Sequence, residues 1–130
     1  MAILKPLRHP RFWLAMWWLA VLAVLVFCLM PSSNLPDMPH NSDKLEHALA
    51  FFVLTASAVQ LYARPRLRAV GIGLLLLGAA IEVVQGALTA DRSADPFDLL
   101  ADVVGIVLGM ATALTPGRDL LLRLDGRRVS

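Results

Sequence analysis

Four apolar stretches separated by short charged segments constrain this chain more than any other feature. They run from Phe12 to Met30, from about Leu45 to Ala63, from about Leu67 to Leu88, and from near Asp98 to Thr115. A helix needs about 20 residues to cross the hydrocarbon core of a bilayer. The first three stretches reach that length. The fourth has only 13 residues between Asp102 and Pro116, so it can cross only by carrying Asp102 into the membrane or its interface. With 58% hydrophobic and 17% charged residues and a mean hydropathy of +0.67, the composition is that of a membrane protein. The expected fold is all-α: a four-helix transmembrane bundle over residues 12–115, with an N-terminal arm at 1–11 and a basic tail at 116–130.

The first stretch follows Lys5, Arg8 and Arg11 and could be read as a signal peptide. No small-x-small cleavage site follows it, and it is longer than a typical signal core. Cys28 after Val26 and Phe27 is a poor lipidation signal. A retained helix is therefore expected. A single cysteine allows no intramolecular disulfide.

Lys and Arg set the orientation. Ten of twelve lie in the N-terminal arm, in the Arg64–Arg66–Arg68 loop and in the tail, while only Lys44 and Arg92 lie on the other side. Both termini are expected in the cytoplasm. The basic pI of about 9.2 thus reflects topology, and no nucleic-acid partner is expected. The acids are distributed the other way. Apart from Asp119 and Asp125 in the tail, all eight fall in the outer loops or the outer halves of helices. The leucine-rich tail is expected either to lie on the inner membrane surface or to be a disordered basic end.

Helical spacing turns the intramembrane polar residues toward one another. Glu82 and Gln85 are three apart on the third span, with Gly78, Leu75 and Gly71 continuing their face. Asp43 and His47 share a face of the second span with Phe51. Asp98, Asp102, Gly105 and Gly109 form a stripe on the fourth, and a small-xxx-small pair lets helices approach closely. The first span has no charge, and its Trp13, Trp17 and Trp18 read as an interfacial belt on a lipid-facing scaffold. Each polar residue also has a bland role. Asp43 can cap its helix with Glu46, and Asp95–Pro96 can cap the fourth. Lys44 can snorkel, Arg92 can sit on a loop surface, and His47 can make a structural hydrogen bond. An intramembrane carboxylate such as Glu82 points to function by default.

"DKLEH" with Phe51, then "EVVQ", then Arg92 and "DLLADVVGIVLG" resemble the VanZ-like family of small bacterial membrane proteins. Asp43, Lys44, His47, Phe51, Glu82, Gln85, Arg92, Asp98, Gly105 and Gly109 match its pattern in order and spacing, over roughly residues 43 to 110. Asp102 departs from it, since the family often has Asn there. An Asp accepts the same hydrogen bonds but donates no amide ones. The family is associated with teicoplanin resistance, which implies a cell-envelope role and a multi-pass protein of the bacterial inner membrane.

The expected function is an outward-facing pocket of Asp43, Lys44, His47, Glu82, Gln85, Arg92, Asp98 and Asp102. Lys44 and Arg92 would hold a phosphate-bearing lipid or lipid-linked envelope precursor, as cations suited to phosphate. The alternatives are a membrane enzyme acting on lipid phosphates, with His47 and Glu82 as an acid–base pair, a proton-coupled transporter, or a structural partner in a larger complex. His47, Asp98 and Asp102 with Glu82 could hold a divalent metal, but no spacing among them is diagnostic of one. No cofactor is expected, and a homo-oligomer is possible.

Overall fold

The computed structural model describes residues 3–29, 42–88 and 96–125. Among them the chain is helical, with one isolated bridge between Leu4 and Tyr62 and no strand. Four long helices follow in order: α1 (Pro10–Leu29), α2 (Ser42–Leu61), α3 (Leu67–Leu88) and α4 (Pro96–Ala111). A short α5 (Leu120–Asp125) ends the described chain. Pro10 and Pro96 occupy first helical positions, where a missing N–H costs nothing. Asp95, the expected cap of α4, lies outside the described residues. Since α2 begins at Ser42, Asp43 sits inside its first turn and not at the cap position expected of it.

Among the described residues, three helical stretches are long and apolar enough to cross a membrane: Pro10–Leu29, Arg64–Val84 and Phe97–Leu114. The second apolar stretch is not among them, because Asp43, Lys44 and Glu46 crowd its first turns. Packing explains how α2 tolerates them. It is the central helix, touched by α1, α3 and α4, and it buries Phe51, Leu54, Thr55, Ala58, Val59 and Leu61. What it leaves exposed is again apolar: Leu45, Leu49 and Val53. The other helices expose large side chains too, among them Phe12, Leu19 and Leu22 of α1, Leu76 and Val83 of α3, and Val107 and Leu108 of α4. Contiguous exposed apolar surface on this scale needs lipid or a large partner to cover it.

The tightest contact joins α2 to α4, which run parallel. Gly105 lies against the α2 backbone, where a Cβ would collide with the carbonyl oxygen of Ala48 and sit 2.9 Å from the amide nitrogen of Phe52. Gly109 lies under Thr55, whose Cβ and Cγ2 would be 2.5 and 2.9 Å from an added Cβ. The small-residue pair thus faces α2.

The tryptophans do not form the expected belt. Only Trp18 is well exposed; Trp17 is buried, donates from Nε1 to the carbonyl of Leu54 at 3.0 Å and meets Tyr62 edge to face. Trp13 donates to the carboxylate of Asp125 at 2.8 Å. The indole N–H is a donor that needs a partner once buried, and α2 and the tail supply one.

The tail docks. Gln60 at the end of α2 donates to the carbonyl of Gly117 and accepts from the N–H of Leu121, at 2.7 and 2.9 Å. Lys5 donates to Asp119 and to the carbonyl of Arg118, at 2.8 and 2.6 Å. The N–H groups of Arg8 and His9 bond Asp125. The N-terminal arm and the tail are therefore clamped together at the end of the molecule opposite the start of α2, and a freely disordered tail is ruled out for 116–125. Leu120 and Leu124 remain exposed beside the clamp.

The hydrogen bond from Lys5 holds the Asp119 carboxyl below its ordinary value. Desolvation acts to raise Asp125, but the bonds from His9 and Trp13 outweigh it and lower that group as well. Groups depressed by folding stabilise above the ordinary carboxylate value, and the contribution is lost as pH falls through their lowered values. The clamp should therefore hold above about pH 4 and open in stronger acid. The partly buried Lys5–Asp119 pair contributes at most about 1 kcal/mol. Trp13 emission against pH in detergent checks this; a flat profile from pH 7 to 2 contradicts it.

Candidate functional site

The polar site lies where α2 and α4 begin and α3 ends. Lys44 and His47 stand three residues apart on α2, Asp98 and Asp102 four apart on α4, so each pair shares a helix face. Parallel packing brings the two pairs into register. Lys44 Nζ lies 3.5 Å from Asp98 Oδ1. His47 Nδ1 lies 2.9 Å from Asp102 Oδ1, and its Nε2 lies 3.9 Å from Asp98 Oδ2. The imidazole is thus held between two carboxylates. The 2.9 Å contact is a hydrogen bond in which Nδ1–H donates when the carboxylate accepts.

From α3, Glu82 completes the group: single ligand-type atoms of His47, Glu82 and Asp102 lie within 4.8 Å of one another. All three side chains are buried, and Asp102 is 0% exposed. Counting from Leu88, Glu82 is about 9 Å below the helix end at about 1.5 Å per residue. Gly78 lies one turn further in, and a Cβ there would stand 2.8 Å from Asp102 Oδ2. The glycine makes room for the carboxylate against α3.

The convergence expected of His47, Glu82, Asp98 and Asp102 is present, with Lys44 at the rim. The side chains of Asp43 and Gln85, and all of Arg92, lie outside the described residues.

Three contributions escape sequence reasoning. Gly78 is one, since helical spacing shows its face only as a continuation of the Glu82 stripe. Thr55, 0% exposed and packed against Gly109, is another; a hydroxyl two turns below His47 is the available signal. The third is α1, expected to be a lipid-facing scaffold. Buried Cys28 and its neighbours Val24 and Phe27 close a cavity of about 300 Å³ against α2, where Glu46 and His47 are the polar lining. One wall of the space beside His47 therefore belongs to α1.

Chemically, the group can orient an imidazole, hold or pass a proton, and collect a cation. Neither a scan against protein-family models nor searches of curated proteins and of solved structures finds a match to this chain.

Proposed function

We propose that the chain is a VanZ-like protein of the bacterial inner membrane, a four-helix transmembrane bundle with both termini cytoplasmic. Its site opens outward and handles a phosphate-bearing lipid or lipid-linked envelope precursor. The ten-position resemblance and the ten-to-two Lys/Arg bias support membrane and orientation, and the apolar exposed stripe of α2 supports its crossing with the other three. The observation that carries the ligand class is Lys44. It is one-third exposed at the site's rim and is positioned by buried Asp98 at 3.5 Å, so an ammonium stands at headgroup depth above a buried polar floor.

The chain has two lysines, Lys5 and Lys44, and this makes a direct test possible. A membrane-impermeant amine reagent applied to spheroplasts should modify Lys44 and spare Lys5. A short-chain polyprenyl phosphate should protect Lys44, and the corresponding alcohol should not. Modification of Lys5 alone contradicts the orientation, and indifference to the phosphate contradicts the ligand class.

The His47–Asp102 contact favours a second reading, an enzyme acting on the lipid phosphate. A carboxylate bonded to one ring nitrogen orients the other for proton transfer. Phosphate release by the purified protein separates this reading from binding alone.

A further inference from the structure

We propose that His47, Glu82 and Asp102 form a divalent-cation site, with one ligand from each of α2, α3 and α4. The inference does not depend on the identity of any lipid ligand.

The geometry fits. Ligands about 2.1 Å from a common ion are about 3 Å apart at right angles and about 4.2 Å apart when opposed. His47 Nδ1 and Asp102 Oδ1, at 2.9 Å, already match the short edge. The whole set lies within 4.8 Å, so its longest separation needs to close by at most about 0.6 Å to reach the opposed spacing, a shift that side-chain rotation supplies.

A second observation points to a ligand. Asp102 is 0% exposed, yet its Oδ2 has no hydrogen-bond partner. That oxygen leans on α3 at Gly78, one turn from Glu82. A buried carboxylate oxygen without a donor is costly, and a cation shared with Glu82 would satisfy it. The surroundings suit a metal as well. With Nδ1 on the ion, Nε2–H would face Asp98, now 3.9 Å away, and a modest approach would make the carboxylate–histidine hydrogen bond that fixes a ligating ring. Lys44 in turn steadies Asp98. One imidazole and two carboxylates favour Zn²⁺ or Mn²⁺ over Ca²⁺, which prefers an all-oxygen shell. An ion here would also let a carboxylate-rich pocket accept a phosphate oxygen.

The test uses the full chain, without an affinity tag, in nanodiscs. After stripping with chelator and reloading, one Zn²⁺ per chain is expected by mass spectrometry. Mn²⁺ loaded in its place should show ¹⁴N coupling in pulsed EPR. Replacing the other two histidines, His9→Gln and His40→Gln, leaves His47 as the only imidazole, and the coupling should persist. Asp102→Asn keeps an oxygen to accept from His47 but removes the charge, and Glu82→Gln does the same on α3. Each should weaken Zn²⁺ binding at least ten-fold. If position 102 serves hydrogen bonding alone, Asp102→Asn will retain full affinity, and that overturns the proposal. So does a folded wild-type chain that takes up no ion, or Mn²⁺ bound without nitrogen coupling. The wild-type measurements decide the matter even if an amide variant fails to fold.

Discussion

Gly105→Leu should break the α2–α4 contact and lower the unfolding temperature by about 10 °C in detergent, the shift expected for about 3 kcal/mol in a domain of this size. The first atom of any side chain at 105 collides with the carbonyl of Ala48 and crowds the nitrogen of Phe52. Both are backbone atoms inside a helix and cannot rotate away, so the two helices must separate. Overpacking a core typically costs about 1–3 kcal/mol, and a rigid backbone obstacle belongs at the upper end. Separation would also pull His47 from Asp102, which lie one residue before Ala48 and three before Gly105, respectively. Gly73 provides the control: a Cβ there meets nothing within 4 Å, so Gly73→Ala should leave the midpoint almost unchanged. Equal effects at the two glycines would contradict the packing argument.

His47→Ala should be the most damaging change in the polar site. It leaves the Asp102 carboxylate at 0% exposure without the ring that bonds it at 2.9 Å. Removing one partner of a buried ionic pair typically costs about 3–5 kcal/mol. Much of that penalty is the orphaned group, so removing both members should recover part of it. The His47→Ala/Asp102→Ala double variant is expected to be more stable than the sum of the singles by at least about 1 kcal/mol, within the range for residues in direct contact. Denaturation of all four proteins closes the cycle, and strict additivity would mean that the two side chains do not interact. Protein level must be followed with any activity readout, because the same change lowers both.

Much of the site is legible before any packing is known. Helical spacing alone puts Asp98, Asp102, Gly105 and Gly109 on one stripe and His47 on the face of Phe51, and the improbability of a carboxylate in an apolar run singles out Glu82. Those faces do meet. The tryptophans show where the reading stops. Their position at one end of an apolar span suggests an interfacial belt, but Trp13 and Trp17 turn inward because the Asp125 carboxylate and the Leu54 carbonyl stand within reach. Neither acceptor is near in sequence. The tail is similar: "GRDLLLRLDGRR" has the composition of a surface or disordered segment, and Lys5, His9 and Gln60 capture its first part.

By itself, the sequence determined the helices, their polar stripes and the depth at which charged groups enter the apolar region. These depend on neighbours within a turn or two along one chain segment, where periodicity and hydropathy are local properties. Tertiary structure alone decided which stripe meets which. It placed the Gly105 stripe against α2, the Asp102 carboxylate against Gly78, and α1 beside His47. The physical reason is that such pairings are selected by close fit between surfaces far apart in sequence. The absence of a side chain at Gly78 or Gly105 matters only because of the Asp102 carboxylate or the Ala48 carbonyl that fills the space.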